Sequence, residues 1–140
     1  MQYATNITLY NKYIDPTTRS ELWHRTYIMG VIWRNKAVSG IAPLTFNIQI
    51  EIPFLRCLNY IRPSEWRALT PKGIMWTLQT EDIIVRGITD AEIKSITQDI
   101  YEYFSVSDMR KANDDVCTIK SIGLSDVPTL SKQKFIIGAA

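Results

Sequence analysis

The chain of 140 residues contains little of what most active sites need. His24 is its one histidine, which excludes a metal site built from several histidines and a relay between two imidazoles. Cys57 and Cys117 lie far apart, without the paired spacing of a zinc site, and we expect ordinary reduced thiols. Ser39 lacks the glycine frame of a nucleophile elbow. We therefore predict no catalytic residue, no metal and no cofactor.

A large excess of charge of one sign is also missing. Sixteen Lys and Arg stand against fourteen Asp and Glu, a formal net charge of +2, and no run of like charges occurs. A general binder of nucleic acid or of acidic membranes usually carries a basic stripe or cluster. This charge pattern argues against both kinds of partner.

Long apolar runs are absent as well. The start, MQYATNITLY, does not have the charged and apolar regions of a signal peptide, and no apolar stretch approaches the roughly 18 residues that span a bilayer. We expect no membrane association and a location in the cytoplasm.

The sequence does contain many short segments rich in aromatic and β-branched residues, which favour strands. We predict strands over 4–13, 21–33, 44–52, 116–122 and 132–137, and a hairpin over 74–86. Gly30, in the second strand, indicates a bulge or a close backbone approach. Pro63–Leu69 predicts a short helix, and Ser107–Ala112 another, capped by Ser107. The segment 90–104 is ambiguous, because its isoleucines recur near helical spacing while Ile and Thr weaken a helix.

The segment Leu44–Ile52, LTFNIQIEI, gives the clearest pattern. Apolar residues alternate with Thr45, Asn47, Gln49 and Glu51, as in a strand with one buried and one wet face. The predicted hairpin, which contains the stretch WTLQTEDIIVRG, should add its own apolar residues to the core, with Glu81 and Asp82 as a solvated tip. The predicted core residues are Ile7, Leu9, Phe46, Ile48, Ile50, Trp76, Leu78, Ile83, Val85 and Ile119.

These segments predict a mainly β fold, a small antiparallel barrel or sandwich of about six strands with one or two short helices and long loops. We expect a single domain over residues 1–140, with a barrel core of about 4–137 and an insertion around 90–112. Two loops, 35–43 and 123–131, have no periodicity that would pack them. We predict contacts with a partner at Lys36, Val38, Gly40, Ile41, Asp126 and Pro128.

Six stretches carry a resemblance to a known group of proteins: NITLYNKYID from Asn6, GVIW from Gly30, EIPF from Glu51, RPSEW from Arg62, WTLQTEDIIVRG from Trp76 and DDVCTIKSIG from Asp114. Together they resemble a family of small proteins encoded in the head-to-tail region of tailed-phage and prophage genomes. The order of elements is similar to that of head-closure, or stopper, proteins. In those proteins a small β-barrel multiplies into a ring below the portal and adaptor.

This resemblance implies a virion structural protein of the neck connector, a homo-oligomeric ring of six or twelve copies assembled in the host cytoplasm. Its neighbours would be a portal or adaptor protein and a tail terminator or tail tube protein, with packaged double-stranded DNA passing close by. Near-neutral charge suits a channel through which DNA slides without sticking. One alternative is a tail terminator or tail-completion protein. The other is a small-barrel protein that binds single-stranded nucleic acid, with Arg25 and Tyr27 on one strand face.

Overall fold

The computed structural model describes residues 4–35, 48–93, 105–125 and 133–140. Its strands form one closed antiparallel barrel in the order β1-β2-β3-β6-β5-β4, which confirms the predicted fold class. The strands are β1 (Ala4–Ile14), β2 (Glu21–Asn35), β3 (Ile48–Pro53), β4 (Ile83–Arg86), β5 (Val116–Ser125) and β6 (Lys134–Ala139). A 3-10 helix (Phe54–Arg56) and two α-helices, α1 (Pro63–Ala68) and α2 (Val106–Ala112), accompany them.

The connections leave the barrel at two ends. The β1–β2 turn, the β5–β6 connection and a long crossover, residues 54–82, leave what we call the crossover end. The β2–β3 connection and residues 87–115, which hold α2, leave the opposite, insertion end. Strands β4, β5 and β6 are successive neighbours, and β6 also pairs with β3, which precedes all three in the chain. Strands β3 to β6 therefore form a Greek key.

The barrel interior is filled by one side of each strand together with apolar residues of the crossover. Its buried members are Ile7, Leu9, Ile28, Val31, Trp33, Ile50, Ile52, Trp76, Leu78, Ile84, Cys117, Ile119, Ile137 and Ala139. Of the predicted core residues, Ile48 is half-buried against this cluster, and Phe46 lies outside the described residues.

A second apolar cluster lies on the outer face of the barrel, beneath α2. Ile83 and Val85 belong to it, with Tyr10, Ile93 and Met109, whereas Ile84 between them faces the interior. The predicted core residues Ile83 and Val85 are therefore buried, but in this outer cluster and not in the barrel interior. Strand side chains alternate between faces, and β4 is apolar from Ile83 to Val85 because both of its faces are covered there.

Residues 74–86 do not form the predicted hairpin, because the first of its two strands is absent. Trp76 makes one isolated parallel bridge, to Tyr60, and β4 pairs with β1 and β5. Trp76 and Leu78 are buried through the crossover, not through a strand. An apolar segment beside a two-residue turn fits a hairpin or an irregular buried segment equally well, and the crossover's contacts with β1 decide the outcome.

Local details at three further positions refine the sequence analysis. Gly30 has φ +73° at a register shift between β1 and β2, so the predicted bulge is present. The cap of α2 is Ser105, not Ser107: its hydroxyl accepts from the Asp108 amide, and the Asp108 carboxylate accepts from the Ser105 amide. Residues 90–93 have no helical structure, and the rest of the ambiguous segment up to 104 lies outside the described residues.

Glu51 contradicts the predicted wet face of β3. It points outward, opposite to Ile50 and Ile52, yet it is buried. Arg34 of β2 contacts its carboxylate at 2.7 Å, and Lys134 of β6 contacts the other oxygen. A sequence pattern assigns the side of a strand, but not whether neighbouring long side chains will cover it.

Candidate functional site

A buried polar group with several hydrogen bonds lies where the crossover returns to the barrel. Asp82 is buried, and its carboxylate accepts hydrogen bonds from Asn11 Nδ2 at 2.7 Å, the Lys12 amide at 3.0 Å and Gln79 Nε2 at 3.2 Å. The predicted solvated tip is therefore half wrong, because Glu81 is exposed and pairs with Lys120 whereas Asp82 points inward. No sequence signal separates these adjacent carboxylates. The positive φ of Glu81, 74°, turns the chain between them.

Burial determines the protonation of Asp82. It raises the pKa of this carboxyl to about 6, although the donors from Lys12, Asn11 and Gln79 oppose the shift. All of these groups donate, and none is a cation in contact with the carboxylate, so the anion is held by hydrogen bonds alone. The arrangement fixes the turn, and the cluster contains no adjacent nucleophile.

Asn11 completes this cluster, because its side chain makes the two backbone hydrogen bonds to Thr77 that a neighbouring strand would otherwise make. Its amide nitrogen donates to Thr77 O at 2.8 Å, and its oxygen accepts from the Thr77 amide at 3.2 Å. Gln79 Nε2 also donates to Lys12 O, at 3.1 Å. Side chains thus pair with backbone groups along the edge of β1 beyond the end of β4, and they fasten the crossover to the barrel.

Lys72 holds the other side of the crossover. Its ammonium donates to the carbonyls of Trp66, Arg67 and Leu69 at 2.7, 3.1 and 2.9 Å, at the C-terminal end of α1. A cation at this end of a helix donates hydrogen bonds to carbonyls that have no partner within the helix, and it interacts favourably with the negative end of the helix dipole. The same ammonium lies 4.4 Å from the centre of the Trp66 ring. With three acceptors, Lys72 has no proton left for a substrate.

His24 contacts the same helix. Its ring lies 6.0 Å from that of the fully buried Trp66. Burial, followed by the nearby charge of Lys72, lowers the pKa of His24. Packing is therefore the observed role of His24.

Two shallow concavities of about 490 and 560 Å³ lie on either side of Ile14 and Arg67, between the β1–β2 turn and the crossover. Asp82 and Lys72, which line them, are engaged in the internal contacts described above. The residues that line these concavities do not place a nucleophile beside a general base, as a hydrolytic active site would.

Metal and thiol chemistry have no support in the part of the chain that the structure describes. No group of three or more His, Cys, Asp and Glu side chains that could hold a metal occurs within it. Cys57 and Cys117 are free, and burial raises their pKa values to about 11 and about 12. Such thiols are protonated and weakly reactive. No described helix is long and apolar enough to cross a membrane.

Exposed apolar side chains concentrate at the crossover end. Of the eight large hydrophobic residues that are exposed in the described part of the chain, five lie on segments that begin or end at this end: Ile14, Leu55, Leu58, Ile74 and Leu124. The first lies at the end of β1, and the last near the end of β5. The others belong to the crossover, and Leu58 is 76% exposed. We call these five residues the apolar rim. Concentrations of this kind mark contact surfaces more often than isolated exposed residues do.

The predicted partner residues fall outside the described residues: Lys36, Val38, Gly40, Ile41, Asp126 and Pro128. The residues that flank these two segments are described. Asn35 and Ile48 lie at the insertion end, while Ser125 and Lys134 lie at the crossover end. The two segments thus begin and return at opposite ends of the barrel.

The pair proposed for nucleic-acid stacking is partly engaged. Arg25 lies over the Tyr27 ring at 5.5 Å, on one face of β2 as predicted. Arg25 also donates to Asp90 O and approaches Glu92 at 3.8 Å. Its charge is therefore partly compensated within the chain, which weakens the case for phosphate binding.

Comparison with known proteins gives one match. A family model described as a family of unknown function (DUF6751) matches residues 2–139. No curated protein and no solved structure matches the chain.

Proposed function

The chain belongs to DUF6751, a family of unknown function, and from the geometry of the barrel we propose that it is a head-closure (stopper) type structural protein of a phage neck. In this proposal identical copies form a ring between a portal or adaptor protein and the tail, and the ring helps to retain packaged DNA.

One observation carries the proposal: the barrel presents separate connecting segments at its two ends. Asn35 and Ile48, which border residues 36–47, lie at the insertion end, and Ser125 and Lys134, beside residues 126–132, lie at the crossover end. A protein that joins two different neighbours needs contact elements on opposite sides of a rigid body. A closed barrel supplies that body, because closure leaves few free edges and holds its ends at a fixed separation.

The apolar rim supports an axial contact at the crossover end. Leu55, Leu58 and Ile74 belong to a crossover that the Asp82 cluster and Lys72 hold in place. A prepositioned apolar surface binds a partner at a lower entropic cost than a disordered one. The mixed, near-neutral charge fits a channel wall along which DNA moves.

The test is removal of the gene from a phage or prophage that encodes this protein. Particles without it should show DNA-filled heads that leak and tails that remain unattached, as seen by electron microscopy. The protein should also be detected, by labelling, at the neck of complete virions. Normal, tailed particles without the gene, or virions that lack the protein, would overturn the proposal.

A pair of substitutions tests the apolar rim separately. Leu58→Glu places a charge in the proposed axial contact, and we expect folded protein that no longer restores joined particles. Ile88→Glu is the matched control: Ile88 is 49% exposed but follows β4 at the insertion end. Full activity of the Leu58 variant would remove the rim from the contact. Loss of activity in both variants would place contacts at both ends.

A further inference from the structure

The β1–β2 hairpin extends beyond the barrel. The two strands pair with each other from Ala4↔Ile32 to Ile14↔Glu21. Their outer neighbours cover them for a much shorter distance, since β4 pairs only with residues 7–10 of β1 and β3 only with residues 32–35 of β2. A two-stranded ribbon therefore projects at the crossover end, with one lateral edge on each strand.

The β1 edge of this ribbon is protected by side chains. Asp82 accepts from the Lys12 amide at 3.0 Å, and Gln79 donates to the Lys12 carbonyl at 3.1 Å. These are the bonds that a neighbouring strand would otherwise make. Proteins commonly protect strand edges in such ways, because an unpaired edge is a template for another strand.

The β2 edge has no equivalent protection in the described ranges. The bond from the Asp15 amide to Ser20 O, at 2.9 Å, shows that the even-numbered residues of this part of β2 bond to β1. Strand geometry then directs the amide and carbonyl groups of Glu21, Trp23 and Arg25 to the outer edge. Among the described residues, no strand pairs with this edge and no hydrogen bond reaches those backbone groups.

We propose that this edge pairs with the same edge of a second copy of the chain, antiparallel and about a two-fold axis at Trp23. In that register Glu21 lies directly opposite Arg25 of the partner subunit, twice, and the two Trp23 residues face each other. Cross-strand pairs of opposite charge stabilise a sheet, and like charges destabilise it. A register centred on Arg25 would instead oppose two guanidinium groups.

Charge complementarity identifies a second copy as the occupant. The edge sequence Glu21–Leu22–Trp23–His24–Arg25 carries opposite charges at equal distances from its centre, so it complements itself when the strand is reversed. The side chains of Glu21 and Arg25 remain partly exposed, at 53% and 26%. This isologous contact does not propagate into a ring. It is a property of the free protein, separate from the ring contact proposed above.

Charge reversal tests the pairing in the purified full chain. Sedimentation over a concentration series should show a monomer–dimer equilibrium for the wild type. Glu21→Arg and Arg25→Glu should each weaken it by roughly tenfold or more, and the double variant should regain most of the affinity. Arg67→Glu, an exposed charge at the same end but away from the edge, should leave it unchanged. Because the single variants also remove the contacts with Lys12 and Glu92, thermal unfolding of each variant controls for folding.

Hydrogen exchange at low and high protein concentration tests the backbone bonds directly. The amides of Trp23 and Arg25 should exchange more slowly at high concentration. The His24 amide, which is directed to β1, should not change. A monomer at every concentration, a dimer indifferent to charge reversal, or equal behaviour of the three amides would each overturn the pairing. A six- or twelve-fold oligomer indifferent to these variants would overturn it while supporting the ring.

Discussion

Asp82 and its neighbour Glu81 show how much of this molecule is decided one residue at a time. Both are acidic, and together they interrupt an apolar stretch. One is 1% exposed within a cluster of hydrogen-bond donors, and the other has a side chain 66% exposed beside Lys120. The difference arises from two donors that reach Asp82: Asn11, which lies 71 residues away in the chain, and Gln79, which lies three residues before it.

The raised pKa of Asp82 predicts a pH dependence of stability. The carboxyl has a pKa of about 6 in the folded chain against an ordinary value of 3.8, so the folded state holds the proton more tightly. Its contribution to the free energy of unfolding is fully present below about pH 4 and is lost as the pH rises to about 6, a change of up to about 3 kcal/mol. Chemical denaturation of the wild type and Asp82→Asn across this range measures it.

The stability of the wild type relative to Asp82→Asn should therefore fall as the pH rises. Glu81→Gln, at the exposed neighbour, controls for the loss of a charge at this turn. A difference between the wild type and Asp82→Asn that stays constant from pH 3.5 to 7 would show that burial does not shift this carboxyl.

Gly30 offers a second prediction at the level of a single residue. Its φ is +73°, and a Cβ built there would lie 2.8 Å from Arg56 Nε. Gly30→Ala should lower the free energy of unfolding by about 1 to 3 kcal/mol, because alanine resists this backbone conformation and the Arg56 side chain must move. Gly123→Ala is the matched control, since its nearest neighbour would be Ile136 O at 3.7 Å. Equal unfolding midpoints for the two variants would contradict the strain at the bulge.

At the scale of elements, the strands were largely predictable and their partners were not. The alternation in β3 and the β-branched, aromatic character of β1 and β2 are visible in the sequence. Trp76 and Leu78 alternate with polar residues in the same strand-like way, but they lie in the irregular crossover, where the Asn11 side chain bonds to the Thr77 backbone. Periodicity describes a segment's own faces. It contains no information about which segment lies beside it.

The N-terminus of α2 gives a prediction for an element. Ser105→Ala should lower the free energy of unfolding by about 1 kcal/mol, because the Ser105 hydroxyl accepts from the Asp108 amide within a capping box. Ser107, two residues later, lies exposed inside the helix, and Ser107→Ala should have almost no effect. The reverse order of the two effects, measured by thermal unfolding, would move the start of the helix to the position that the sequence first suggested.

At the scale of the whole molecule, the barrel and its small size were predictable, whereas the second apolar cluster was not. The cluster beneath α2 exists because Ile93 and the α2 residue Met109 pack against β1 and β4, with Tyr10 donating to Ala91 O at 2.6 Å. Nothing in the sequence of β4 separates Ile84, which faces the interior, from Ile83 and Val85, which face α2. The candidate site was less predictable, because the hydrogen bonds from Asn11 and Lys12 to Asp82 and the ion pairs of Glu51 join distant segments.

Closure of the barrel predicts opposite outcomes for two neighbouring positions of β3. Ile50→Asp should unfold the domain or leave it insoluble, because it buries a charge in the interior at a cost of several kcal/mol. Gln49→Asp, on the outer face, should be tolerated, with a change of about 1 kcal/mol or less. Circular dichroism and solubility distinguish the two. Similar behaviour of both variants would mean that the register of β3 is wrong.

The position of β6 in the strand order has a consequence for synthesis on the ribosome. The five earlier strands can associate in the order β3-β2-β1-β4-β5, but β3 and β5 lack a shared neighbour until residues 134–139 leave the exit tunnel. Nascent chains that stop before residue 134 should therefore remain sensitive to protease and bind chaperones. Chains that extend far enough past residue 139 to expose β6 should become resistant in one step, at a rate set by long-range closure instead of local structure.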